Sequence, residues 1–141
     1  MFYSEMVKKA SKIAFDAHKN DVDKSGYPYI MHPTYLAYQM DDEDSVCVAL
    51  LHDVIEDHSD EYSFDYLRQA GFNENIINAL KLLTHDKDVP YMDYIAQIKK
   101  NALATKVKIA DLKHNLDISR RNNQYFYKDE TYNKALEYLV T

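Results

Sequence analysis

The chain has 141 residues, 46% of them hydrophobic, with 23 acidic and 17 basic side chains and a formal net charge of -6. This length supports one core that buries roughly two-thirds of the surface of the unfolded chain. The acidic balance excludes broad electrostatic attraction to nucleic acid or an anionic membrane, but leaves open a phosphorylated small molecule held in a locally cationic pocket.

Helical periodicity dominates, and Gly26, Pro28, Pro33, Gly71 and Pro90 all fall between periodic segments. Met1-Phe2-Tyr3-Ser4-Glu5 lacks the basic region and apolar block of a secretion signal, and no apolar stretch reaches about 18 residues, so a cytoplasmic protein is expected. Phe2, Met6, Ile13 and Phe15 predict an amphipathic helix to about His18, followed by a polar loop over 20–28. Pro33 fits the first turn of a short helix through Met40, since that position leaves an amide hydrogen unpaired anyway. It also holds His32 beside the helix start. Asp44 or Ser45 can cap the next helix, which runs to about Asp57 and is the candidate central element. Within it Cys47, the only cysteine, reads as a small buried hydrophobe. A lone cysteine excludes an internal disulfide or a thiolate-rich metal site. Ser63 and Asn73 cap two helices around a break at Gly71, the second running from Glu74 to about Thr84. Pro90 opens another with Met92, Ile95 and Ile98 as its stripe. Asn101 precedes a helix to about Asn115 in which Leu103, Val107 and Ile109 pack, and a final helix carries Tyr132, Ala135, Leu136 and Leu139. With no strand alternation, repeat or long linker, the expectation is an all-α fold, one helical bundle forming a single domain over 1–141.

Packing alone does not account for Leu51-His52-Asp53-Val54-Ile55-Glu56-Asp57. Asp53, Glu56 and Asp57 are three and four residues apart, so they share one broad helical face. Like charges there repel by a few tenths of a kcal/mol per exposed pair, and by more where water is excluded. A divalent cation removes that penalty, and the adjacent His52 makes the mixed nitrogen and carboxylate surroundings suited to a first-row transition ion. His32 and Asp111 complete the set. Asp111 lies where a buried helix favours an apolar residue, with Asn115 one turn beyond. Two imidazoles and two carboxylates suffice to hold one metal with a position left open.

Structural readings stand beside these. A histidine near a helix terminus is commonly a cap or a surface group, Glu56, Asp57 and His58 can be the wet end of a helix, and Asp111 with Asn115 can form an internal hydrogen-bond network. His18, His58 and His85 read as surface groups in turns. Among thirteen tyrosines, the pairs Tyr35/Tyr38 and Tyr91/Tyr94 read as core-edge or surface-groove packing, whereas Tyr27 and Tyr29 flank Pro28 beside His32 and are candidates to line a base or sugar pocket. Lys24, Lys108 and Lys113 are the basic residues nearest the candidate site. The tyrosine-rich stripes leave a homo-oligomer open.

Three segments together resemble the HD phosphohydrolase superfamily, and more narrowly the Rel/Spo-type hydrolases of guanosine tetraphosphate and pentaphosphate. They are Gly26-Tyr27-Pro28-Tyr29-Ile30-Met31-His32-Pro33, Ala49-Leu50-Leu51-His52-Asp53-Val54-Ile55-Glu56-Asp57 and Lys108-Ile109-Ala110-Asp111-Leu112-Lys113-His114-Asn115, which match its signatures in order. The resemblance implies a helical HD domain in which His32, His52, Asp53 and Asp111 bind one divalent metal, usually manganese. It implies that Glu56 and Asp57 position or deprotonate the attacking water, that Lys24 contacts substrate phosphate and that Asn115 holds the ribose or phosphate end. Tyr29 and Lys108 join Lys24 and Asn115 as candidate substrate-binding residues. The tail has no counterpart of a synthetase domain, so pyrophosphate transfer from ATP is not expected.

The departures concern specificity. Family hydrolases carry an arginine immediately before the loop lysine, where it helps hold guanine; this chain has Asp23. Leu112 and Lys113 follow Asp111 where Arg-Leu is common, and Asp117 stands near another frequent arginine position. The leading expectation is removal of the 3′-pyrophosphate from guanosine tetraphosphate or pentaphosphate. The alternatives are an HD-type nucleoside monophosphate phosphatase and a nucleotide-binding signalling module without turnover.

Overall fold

The computed structural model describes residues 1–141 as nine α-helices joined by short loops. They are α1 (Glu5–Ala17), α2 (Met31–Tyr38), α3 (Glu43–Leu51), α4 (Val54–Asp57), α5 (Phe64–Gln69), α6 (Glu74–Leu83), α7 (Tyr91–Lys99), α8 (Ala102–Asn115) and α9 (Asp129–Val140), with a 3₁₀ turn at Ile118–Arg121. No sheet forms; an isolated bridge between Val22 and Pro28 closes the loop after α1. The fold is the expected all-α bundle.

Local chemistry sets most helix starts. Ser4, Asp42, Ser63, Asn73 and Asn101 each accept a hydrogen bond from the backbone amide three residues on, each cap contributing about 1 kcal/mol. The cap of α3 is thus Asp42 rather than the expected Asp44 or Ser45, because Ser45 supplies the capped amide and lies buried. Gly71 ends α5 with φ +105°, a left-handed conformation that a side chain would strain.

The central element is α3. Val46 through Leu51 are at most 1% exposed, and the helix packs against α1, α2, α6 and α8. Full burial of each large aliphatic side chain contributes about 2 kcal/mol. These residues belong to one cluster of 32 buried apolar residues that also takes in Ile76, Ile77, Ile95, Ile98 and Leu112, so the bundle has one core. The helix expected to continue to Asp57 instead breaks at His52 and Asp53. His52 Nδ1 bonds the Ala49 carbonyl at 2.7 Å, the group that would accept the Asp53 amide in a continuing helix. Asp53 leaves the helical region at φ -110°, ψ 1° before α4 restarts.

Candidate active site

The break between α3 and α4 lies against α2 and α8, which carry the other two candidate ligands. His32 Nε2 is 2.8 Å from Asp111 Oδ1, and His52 Nε2 is 3.0 Å from Asp53 Oδ2 and 3.6 Å from Asp111 Oδ1. The ligating atoms of His32, His52 and Asp53 fall within 4.8 Å of one another. All four predicted ligands therefore converge, and His32, His52 and Asp111 are at most 5% exposed.

This donor set fits a divalent cation. A carbonyl can only accept, so His52 carries a proton on Nδ1 toward Ala49, which leaves Nε2 to face the cluster as the nitrogen a cation would take in place of a proton. That Nε2 is buried without a well-formed hydrogen bond, the kind of orphaned atom that a bound ion satisfies. Electrostatics point the same way. Burial opposes charge on His52, but Asp53 and Asp111 outweigh it and raise its pKa well above the ordinary value. Burial likewise resists ionisation of Asp53 and Asp111, yet His52 holds Asp53 down at about 2, and Lys108 with the two histidines holds Asp111 well below the carboxylate range. The site is built for two carboxylates opposed by positive charge.

The surroundings fix these ligands. Asp111 receives Lys108 Nζ at 2.9 Å on Oδ2 and Asn115 Nδ2 at 3.0 Å on Oδ1. Lys108 is nearly buried and rests over the Tyr94 ring, so both it and Asn115 engage a ligand carboxylate while lining the cavity. The Tyr29 hydroxyl donates to Asp53, and its ring lies between His18 and His32. Tyr29 thus braces Asp53 at the cavity wall.

Sequence reasoning gave His114 no role, although it sits three residues after Asp111 on the same helix. Its Nδ1 is 2.7 Å from His32 Nδ1, and its ring stacks on Tyr35 at 4.0 Å. Burial, then Arg120 and His32, lower its pKa to about 4, so near neutral pH it is an uncharged partner for the far side of His32. This is how histidine ligands are commonly oriented.

His18 and His58 are corrections to the surface reading. His18 is 1% exposed, and both rings bond Asp21 Oδ2, His18 through Nδ1 at 2.9 Å and His58 through Nε2 at 2.6 Å. The His18 ring packs against those of Tyr29 and His58, which the polar sequence around it does not reveal. This three-residue strut ties the loop after α1 to the end of α4. His85 is half-buried against Tyr94, and its amide donates to Glu56 Oε1 at 2.7 Å. Lys113 is exposed and lies outside the cavity lining.

The three candidate ligands other than His32, together with Glu56 and Asp57, line a cavity of about 730 Å³. Desolvation at its wall, then Asp53 and Glu56, push Asp57 up to about 6, as the like-charge argument anticipates. Tyr91, Tyr94 and Leu83 form another wall, and the mouth carries Lys24, Arg120, Arg121, Phe126, Tyr127 and Lys128. The inner end of the cavity thus carries carboxylates and imidazoles, and the mouth cations and aromatic rings.

The class that this fold and site define is an all-α HD domain, named for the His52-Asp53 pair. No family model matches the chain. It is 30% identical over 122 residues to the bifunctional (p)ppGpp synthase/hydrolase SpoT of Escherichia coli K12, covering 78% of this chain and 17% of that protein. It is 31% identical over 118 residues to a guanosine-3′,5′-bis(diphosphate) 3′-pyrophosphohydrolase of Haemophilus influenzae, covering 74% and 17%. The chain thus spans about a sixth of the length of these curated relatives. A solved structure, described as a metazoan ortholog of SpoT that hydrolyzes ppGpp and plays a role in starvation responses, aligns with a TM-score of 0.75 at 21% identity, covering 99% of this chain and 88% of that one. The chain belongs to the Rel/Spo-type hydrolase superfamily of HD domains.

Proposed function

We propose that residues 1–141 act as one domain, a metal-dependent phosphohydrolase that removes the 3′-pyrophosphate of guanosine tetraphosphate or pentaphosphate. The observation that carries the reading is the convergence of His32, His52, Asp53 and Asp111 at the inner end of a cavity whose mouth is cationic. Those four residues would hold one divalent ion, Mn²⁺ by family preference, which supplies charge stabilisation at a phosphoryl oxygen and acidifies water.

The rest of the chemistry falls to side chains. When His32 Nε2 serves as a ligand, its Nδ1–H donates to the neutral His114. Asp57 accepts the proton of the attacking water, whose oxygen bonds the phosphorus attached to the 3′-oxygen. The P–O3′ bond breaks, pyrophosphate leaves, and the 3′-oxygen takes up a proton. Glu56 is partly committed to the His85 amide, so it orients water while Asp57 is the base. Lys24 at the mouth and Lys108 and Asn115 inside offset and orient phosphate oxygens, and Tyr29 keeps Asp53 in place.

No helix is long and apolar enough to cross a membrane; we place the protein in the cytoplasm and leave its exposed Tyr35 and Tyr38 as the surface for self-association. One observation favours a second substrate. Asp23 turns into its own loop, its Oδ1 accepting the Ser25 and Tyr27 amides, and provides none of the cationic grip on guanine that the family arginine supplies. A nucleoside monophosphate is the alternative. Incubation of the manganese-loaded protein with a nucleotide panel tests both: release of pyrophosphate from guanosine tetraphosphate supports the first reading, orthophosphate from a monophosphate the second. Undiminished metal-dependent turnover by Asp53→Ala overturns both.

A further inference from the structure

Two adjacent arginines in the 3₁₀ turn after α8 have opposite surroundings. Arg121 is 7% exposed, donates to Asp129 Oδ1 at 2.8 Å and to the Leu116 carbonyl at 3.2 Å, and lies 4.5 Å over the Phe126 ring. It is locked into the fold. Arg120 lines the cavity, and its side chain makes one hydrogen bond, from Nη1 to the His114 carbonyl at 2.7 Å. Its Nη2 faces Asp23 Oδ2 at 3.8 Å, an ion-pair distance outside hydrogen-bond reach.

The backbone under Arg120 is well determined. Asp117 caps the turn by accepting the Ser119 amide and hydroxyl, and Asn122 and Asn123 close it with φ 54° and 62°. Its guanidinium is therefore presented to the cavity from a fixed point, anchored at one corner and left with an open donor edge. Burial pulls its pKa down against the opposing pull of Asp23 and Asp117, so the protein's own carboxylates leave it short of counter-charge. A planar donor edge short of counter-charge is the preferred partner of a phosphate, which it binds with two parallel hydrogen bonds.

We propose that Arg120 is the specificity-determining cation of this pocket, binding the phosphate of the nucleotide that is not at the metal end, in the mouth region where Asp23 replaces the family's loop arginine. Asp23 is its positioning residue: one oxygen holds the loop, and the other faces the guanidinium without saturating it. The cation at this edge thus comes from the segment after α8 and selects for a phosphorylated 5′ end rather than for the base. This rests on the nucleotide reading above.

Binding of unreactive nucleotides separates the two claims. With manganese present, calorimetry compares GDP with guanosine on the wild-type chain, Arg120→Met and Arg120→Lys. The expected result is GDP affinity about 10- to 100-fold weaker in Arg120→Met, partly restored in Arg120→Lys, with guanosine and manganese binding unchanged. Equal GDP affinity in Arg120→Met and wild type overturns the proposal. So does an equal loss on guanosine, which would report a distorted pocket, and so does a wild-type chain that does not distinguish GDP from guanosine. Hydrolysis by the wild type is scored independently, so absence of turnover with an Arg120-dependent preference for GDP overturns the catalytic reading alone.

Discussion

At the inner end of the cavity, each candidate ligand stands on α2, the α3–α4 junction or α8, elements packed into the single core. At the mouth, Lys24, Arg120 and Lys128 stand on the loop after α1 and on the segment linking α8 to α9. The inner groups are nearly buried and doubly engaged: Asp111 alone meets His32, Lys108 and Asn115. Lys24 and Lys128 are exposed and rest over aromatic rings with no carboxylate in ion-pair contact, each 5–6 Å from a ring centroid. The difference separates two demands. Chemistry needs donor atoms held to a fraction of an ångström, which packed helices supply, whereas recognition can be rebuilt by exchanging charges on loops at little cost to the core.

Replacing Asp53 or His52 by Ala should produce the largest effect. Metal retention and turnover should both disappear, a loss of at least about a thousandfold measured by metal analysis and pyrophosphate release. Retention of either would break the assignment of the inner end.

Asp57→Asn should lower kcat by roughly 10²–10⁴-fold while leaving bound manganese in place. The same change carries a stability sign. A carboxyl whose folded pKa is raised to about 6 favours the fold when protonated and loses that contribution as pH rises through 6. Asp57→Asn should therefore raise the melting temperature of the metal-free protein at pH 8 and have little effect at pH 4.

Loss of the neutral ring behind His32 should be felt one step further out. His114→Ala should weaken manganese binding about 10- to 100-fold, with the folded state retained. The pKa of about 4 for His114 implies that the stability attached to its neutral form falls away as pH drops from about 6.5 through 4; the variant should show less acid sensitivity in that window.

The smallest effect belongs to the strut near the mouth. His58→Gln should cost about 1 kcal/mol, discounted for partial exposure. Asp21 is the main cause of the raised His58 pKa, so this contribution is full below the ordinary histidine range and lost as pH rises through the folded value. Melting at pH 5.5 and pH 9 should show the variant's deficit shrinking at the higher pH.

Helix starts were legible wherever the cap is a local hydrogen bond, as at Ser63, Asn73 and Asn101. The start of α3 lies two or three residues before the expected cap because Asp42, Asp44 and Ser45 all offer capping chemistry, and packing of Ser45 into the interior chose among them. Within the site, the candidate ligands stood out because charged and imidazole groups interrupt apolar helices. His114, His18 and Arg120 did not, since their roles depend on His32, His58 and Asp23, groups far off in the chain that only folding brings near.

What the sequence determined by itself was the helical period, the caps and the donor chemistry at His32, His52, Asp53 and Asp111, since each follows from residue type and local spacing. The tertiary structure alone decided that α3 breaks at His52, that His114 backs His32, that His18 is buried, and that of the two arginines lining the cavity Arg121 is committed to Asp129 and Leu116 while Arg120 keeps a free donor edge. Those outcomes depend on competition for the same carbonyls, carboxylates and buried space between segments far apart in the chain, and residue spacing carries no record of which competitor wins.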